Sequence, residues 1–277
     1  MAHKQARKRL KSTARGLAVL VICIAFLFPF VWMLLISLRN RVDVIQPGRI
    51  FARLTLINYE SLVRDGAIWP YFINSAIVAA LSTVVSLILG SLAAYGFARY
   101  RWKQREDRAF WVLSLRFLPA MAVVIPYFLM ASLVGLLDTR AVLIICYTTF
   151  NIPFTIWMMR GFIEDLPMEL EESAYVDGCT RMQAILQIVL PLVLPGMAAT
   201  AIFCMINAWN EFVLANFLTS IYAKTVPTSV MMYLSVSGVK WGEMAATGVL
   251  SVLPVLGFAI AVQKYMIRGL TFGAVKG

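Results

Sequence analysis

The chain alternates between long apolar runs and short polar interruptions, and the run lengths are the first limit on its fold. A helix needs roughly 20 mostly apolar residues to cross the hydrocarbon core of a bilayer. Six stretches meet that length, at about 17–38, 73–98, 110–137, 141–162, 192–218 and 242–265. The first follows the basic segment KQARKRLKSTAR, yet its run is too long for the apolar core of a signal peptide and no small-residue cleavage site follows, so it reads as an anchor. The expectation is an all-α membrane protein of six transmembrane helices spread over 17–267, with a basic tail at 1–16 and a short tail at 268–277.

The interruption at 163–191 has soluble-helix patterning. A first short helix is predicted from about Pro167 to Asp177, with proline at an early position where a missing N–H costs little. Leu166, Leu170 and Ala174, spaced by four, would share a face. Glu169, Glu171 and Glu172 sit in the N-terminal half, where the helix dipole favours anions. Gly178 would end the helix in a positive-φ conformation. Thr180 and Gln183 have the spacing of a capping box that starts a second helix, whose Met182, Ile185, Leu186, Val189 and Leu190 form an i, i+3, i+4, i+7, i+8 stripe ended or bent by Pro191. Periodicity alone leaves two readings: a hairpin lying on the membrane without a partner, or a lever feeding force into the next span.

Charge placement supplies an orientation. With the N-terminus in the cytosol, the inner segments hold 16 Lys and Arg against 8 in the outer loops. The positive-inside bias therefore favours both termini and the 163–191 module in the cytosol. The 39–72 loop, with five arginines and with Pro47, Gly48 and Asn58, would be an ordered external excursion.

Composition agrees with a membrane class: 61% hydrophobic, 14% charged, mean hydropathy +0.79. The net charge of +11 does not indicate nucleic acid, because the basic residues flank apolar spans and no basic surface interleaved with aromatics occurs. The four cysteines, Cys23, Cys146, Cys179 and Cys204, show no CxxC spacing and read as reduced and structural. His3 is the only histidine, which removes histidine-based triads and HExxH zinc sites, and no metal site is expected. No GxxxxGK[ST] occurs, so phosphates are not held here by a P-loop.

Polar residues inside the spans are candidate functional groups, because the bilayer makes them costly. Asn207, Asn210 and Glu211 in the fifth span are spaced to share one face if the helix is continuous, with Glu211 about 22 Å along the axis from Gly196 and Trp209 directed elsewhere, toward lipid or a partner helix. Carboxylate and amides suit sugar hydroxyls; they equally suit a structural cluster against a partner subunit. Asn151, beside Pro153 in the fourth span, is a further candidate, as ligand or as a residue satisfying a kink. Arg116 in the third span either snorkels to headgroups or lines a permeation path, and Pro119 and Pro126 would kink that span. A secondary carrier could use Glu211 as an ion site, although that leaves the 163–191 module unexplained.

The segment Glu172-Ser173-Ala174, three residues, Gly178, nine residues, then Ile188-Val189-Leu190-Pro191 resembles the EAA loop, E-A-A-x(3)-G-x(9)-I-x-L-P, of permease subunits in bacterial ABC importers. Ser173 in place of the first alanine is the one departure. LDTRAVLIICYTTFNIPFTIWMMRGF at 137–162, AWNEFVLANF at 208–217 and GLTFGAVKG at 269–277 are similar to the carbohydrate-uptake branch, in particular to the second membrane subunit of maltose-type transporters. The resemblance implies a type I importer permease fold and makes the module a coupling loop, in which Glu172, Ser173, Ala174, Asp177, Gly178, Leu190 and Pro191 engage an ATP-binding cassette subunit. It also implies a second homologous permease, two cassette subunits carrying ATP and Mg, an extracytoplasmic solute-binding protein, and a place in the bacterial inner membrane. On the same grounds the permease has no catalytic site or cofactor of its own, its solute is a sugar, polyol or related glycosyl compound, and the terminal GLTFGAVKG, too glycine-rich for a helix, reaches between the cassettes.

Overall fold

A computed structural model describes residues 2–45, 53–64, 68–235 and 238–274, and of 2–12, 45, 235 and 262–274 it describes the backbone alone. Pro47 and Gly48 of the anticipated external loop lie outside the described residues. The described chain is helical apart from one two-residue ribbon. In order come α1 (Ala2–Ser37), α2 (Arg41–Ile45), α3 (Ile57–Arg64), α4 (Trp69–Arg99), α5 (Arg105–Ser114), α6 (Ala120–Leu133), α7 (Arg140–Glu164), α8 (Glu169–Val176), α9 (Arg181–Ala184), α10 (Leu190–Leu192), α11 (Leu194–Asn210), α12 (Val213–Leu218), α13 (Val226–Ser229), the antiparallel pair β1 (Leu234–Ser235) and β2 (Gly238–Val239), and α14 (Trp241–Ala274). α14 continues to Ala274, correcting the expectation that 268–277 begins as a non-helical tail.

Four helices are long and apolar enough to cross a membrane, in α1, α4, α7 and α14, and two more spans form if each of two bent pairs counts as one. The bends are sharp: 85° between Arg105–Phe117 and Ala120–Leu133, and 77° between Arg181–Leu192 and Leu194–Asn210. The third span is therefore broken where Leu118 adopts extended geometry ahead of Pro119, as the residue before a proline tends to. The fifth is broken twice, at Val193 and again at Glu211, whose backbone is extended (φ −68°, ψ 126°).

The chain divides into two compact units. One comprises Met1–Ile68 and Val230–Val252. In it Asn58, buried, donates to the carbonyls of Ser37 and Arg39 at 2.8 and 2.9 Å and ties α3 to the end of α1. Gly242 lets α14 approach Asn58 so closely that a Cβ there would collide with the amide. The other unit comprises Trp69–Ser229 and Leu253–Gly277. Its centre is the α4–α7 pair. Small residues are buried along α4, Ala79, Ser82, Thr83, Ser86, Gly90, Ser91 and Ala94 among them, and a Cβ on Gly90 would collide with Thr155 of α7. Such residues let helices approach where lipid offers no hydrophobic drive. Arg160 of α7 holds α5 through Glu106 with two hydrogen bonds of 2.6 and 2.7 Å, and pairs with Glu164 one turn on. Trp209 is buried between Phe72 and Phe258 within this unit, at ring distances of 6.0 and 6.4 Å, and does not face lipid.

Candidate functional site

Two places in the second unit carry the predicted site residues. The first is the 163–191 module. α8 ends as predicted: Gly178 has φ +86°, its N–H donates to Tyr175 O, and the Cys179 N–H donates to Ala174 O at 2.9 Å. That 5→2 and 6→1 pattern is a Schellman cap. The Thr180–Gln183 capping box is present in both directions. α8 itself starts at Glu169, two residues later than anticipated, and its buried face differs from the predicted one. Leu170 is exposed, and Glu171 and Ala174 face inward. Glu171, 3% exposed, accepts from the Arg99 guanidinium and the Tyr95 hydroxyl, each at 2.6 Å. Arg99 also donates to the Leu166 carbonyl at 3.1 Å. A buried carboxylate needs such pairing. The acid that sequence reasoning assigned to the helix dipole is thus the anchor of α8 to the end of α4.

Of the coupling candidates, Glu172, Ser173, Asp177, Gly178 and Pro191 are exposed, Leu190 is half-buried and Ala174 is buried. Between α9 and α10 the helix passes through one π-turn, Ile185–Val189. The extra residue in that turn breaks the predicted stripe: Ile185 and Val189 are buried against Ala94, Met159 and Ile163, while Met182 and Leu186 are exposed.

The second place is a cavity of about 230 Å³ lined by Arg116, Ala120, Tyr147, Phe150, Asn151, Asn207, Ala208, Glu211 and Leu214. Asn151, Asn207 and Glu211 converge there. Asn210 does not: it is exposed and bonds back to Ile206 O at 2.9 Å. Nor are Asn207 and Glu211 one helical turn apart as expected, because α11 stops at Asn210. Glu211 turns its carboxylate onto the start of α12 and accepts from the N–H groups of Leu214 and Ala215 at 2.9 and 3.1 Å. Asn151, 2% exposed, donates to Cys204 O at 3.3 Å, joining α7 to α11. The Tyr147 hydroxyl is buried beside Glu211 without a well-aligned hydrogen bond. Arg116, on the turn between α5 and α6, lies with its guanidinium carbon 4.6 Å from the Phe154 ring centre and lines the cavity.

Residues at both helix breaks, Arg116 and Ala120 flanking the first and Glu211 at the second, therefore line the same cavity. Irregular backbone at membrane depth is tolerated where it lines a cavity or is covered by protein. The arrangement can hold a polar solute against donors on three spans.

At the opposite end of this unit from the module, Asp138 (φ +55°) in the α6–α7 turn accepts from the backbone N–H groups of Ser220, Ile221, Tyr222 and Ala223 at 3.0–3.1 Å. Asn74 of α4 donates to the carbonyls of Tyr222 and Lys224, both at 2.8 Å, and the same loop is thereby tied to α4. Burial pushes the Asp138 carboxyl upward, but these four donors outweigh it and hold the group well below the usual carboxylate range. Sequence reasoning missed Asp138; its isolation between two apolar runs was the only available sign.

Residues 86–272 match a family model described as the binding-protein-dependent transport system inner membrane component. The trehalose/maltose transport system permease protein MalG of Thermococcus litoralis is 32% identical over 279 residues, covering 99% of both chains. The sulfoquinovosyl glycerol transport system permease protein SmoH of Agrobacterium fabrum is 31% identical over 266 residues, 95% of this chain and 93% of that one. Among solved structures, a chain of a bacterial ABC transporter involved in the import of the acidic polysaccharide alginate superposes with a TM-score of 0.77 at 25% identity, over 93% of this chain and 96% of that one.

Proposed function

The chain belongs to the family of binding-protein-dependent transport system inner membrane components, and from that premise we propose that it is one of two permeases in an ATP-powered importer of a sugar, polyol or related glycosyl compound. It is a multi-pass inner-membrane permease subunit. The substrate class rests on relatives whose names state trehalose/maltose and sulfoquinovosyl glycerol, and on a structural neighbour that imports alginate. The second permease, the two cassettes with ATP and Mg, and the extracytoplasmic binding protein that delivers the solute belong to the same reading. So do the cytosolic location of both termini and the transport role without catalysis.

One observation supports coupling above the others: a continuous path of bonded backbone runs from the exposed face of α8 to the cavity. Glu172, Ser173, Asp177 and Gly178 present the surface that a cassette would grip. A pull on α8 passes to α4 through Arg99–Glu171, and to α11 through α9, the π-turn and α10. The last turn of α11 carries Asn207 and Glu211 follows directly, so a rotation of α11 reshapes the cavity.

Co-purification with both cassettes and ATP-dependent uptake in proteoliposomes test the assignment. Gly178→Val forces a side chain into φ +86°, straining the Schellman cap by on the order of 1 kcal/mol or more. The variant is expected to insert normally but to lose solute-stimulated ATP hydrolysis. Full stimulation would show that the corner does not transmit force.

A further inference from the structure

An arginine within a membrane span ordinarily pairs with an acid, bonds backbone carbonyls or reaches the headgroups. Arg116 has no ion pair or hydrogen bond among the described residues, and its recorded contact is the Phe154 ring face. Contact with a ring face holds a guanidinium without occupying its in-plane N–H donors.

The one acid lining the same cavity is already engaged. Glu211 has each carboxylate oxygen on a backbone N–H of α12. Of the remaining polar groups, Asn151 has its amide N–H committed to Cys204 and its carbonyl oxygen open to a ligand, and the buried Tyr147 hydroxyl lies against the Glu211 carboxylate. A cation, two amides and a phenol thus border about 230 Å³ in which Glu211 keeps its charge but has each oxygen on a backbone N–H, while the guanidinium donors stay open.

We infer that this cavity binds the oxyanion of a charged glycosyl solute, a carboxylated, sulfonated or phosphorylated sugar unit, with Arg116 as the selecting residue. The inference rests on the reading of the chain as an importer permease and narrows its substrate class. A guanidinium offers the forked donors that match a planar or tetrahedral oxyanion. Phe154 fixes the guanidinium, and the amides of Asn151 and Asn207 take the hydroxyls. At this volume the site holds a single sugar residue, below the roughly 300–1,000 Å³ of pockets that enclose larger ligands.

The test measures the sign of the field inside the cavity and needs no knowledge of the cargo. In the purified complex, with the four native cysteines replaced, a single cysteine is placed at Asn207 and, separately, at Ala120. Its reaction rates with anionic methanethiosulfonate ethylsulfonate and cationic methanethiosulfonate ethyltrimethylammonium are compared, each normalised to a free thiol in solution. The anionic reagent is expected to be favoured by about tenfold or more at both positions, because the open guanidinium donors attract it while the Glu211 oxygens are held by backbone N–H groups. Arg116→Lys should retain the preference and Arg116→Gln should abolish it; if Arg116→Gln does not fold, the sign of the preference in the Arg116 protein decides. Equal rates, a cationic preference, or no reaction at either cysteine would overturn the anion site. Cassette binding and ATP hydrolysis by the same preparation report the importer reading separately, so an active complex without the preference refutes the oxyanion site alone.

Discussion

Glu211 shows how a polar residue at membrane depth acquires a structural duty that its spacing does not reveal. Its carboxylate caps α12, and losing a cap costs about 0.5–2 kcal/mol. Glu211→Ala is expected to lower the melting temperature and the yield of assembled complex, and Glu211→Gln, which keeps one acceptor oxygen, to lower them less. Solute half-saturation in the surviving complexes should change little; a rise in both variants at full yield would instead assign Glu211 to the solute. Asp138 yields a pH prediction of definite sign. Its carboxyl is held below the ordinary aspartate value of about 3.9, so its stabilisation is complete above that value and fades as the pH falls beneath it. Asp138→Asn should therefore melt lower than the parent protein throughout pH 5–8, with the gap closing only in stronger acid. A gap that varies between pH 6 and 8 would show that another group is responsible. At this scale Asn151, Asn207 and Glu211 were legible because the bilayer penalises polar side chains wherever they stand. Asn210 was misplaced because spacing by three assigns it to a face without showing where that face points; Arg116 was flagged as one of two alternatives, and Tyr147 joins the site by packing that no local pattern encodes.

Among the elements, α8 was legible where backbone chemistry decides and illegible where tertiary partners do. Its Schellman glycine and the following capping box are written in local residue types. Its inward face is not, because Glu171 becomes buried only when Arg99 and Tyr95 arrive from another helix. The π-turn escaped for a related reason: one extra residue in a turn shifts the apolar stripe by about 100° with no change in composition. Arg99 and Glu171 are 7% and 4% exposed at their side chains, so removing one partner strands a buried charge, at a cost of about 3–5 kcal/mol. Arg99→Met is expected to destabilise the protein and to uncouple ATP hydrolysis from transport. Arg99→Met combined with Glu171→Leu should recover most of the stability while coupling stays impaired. Recovery of both would show that α8 needs only packing, not the ion pair, to transmit force.

For the whole chain, run lengths located four unbroken membrane segments to within a few residues, and the third and fifth only as bent pairs whose ends lie further off. The breaks did not follow from hydropathy, because an apolar residue scores alike on either side of a bend. Orientation has its own test. In a cysteine-free background, Tyr175→Cys and Leu270→Cys are expected to resist an impermeant thiol reagent in intact cells and to react in inverted vesicles. Labelling from outside would reverse the topology inferred from the 16-to-8 basic bias.

The hydroxyls of the helix seams bear on how the chain is made. Ser86 bonds to Ser82 O, Thr155 to Asn151 O and Thr200 to Gly196 O, each within its own helix. These hydrogen bonds therefore exist before any neighbour arrives, whereas the ends of α4 depend on later segments, Asn74 on the 222–224 loop and Arg99 on Glu171. α7 depends on its neighbours as well: Asn151 finds its acceptor on α11, and Arg160 its nearest carboxylate oxygens on α5. Stable insertion of α7 is therefore expected to depend on the segments on both sides of it, with its polar groups satisfied only once both have emerged.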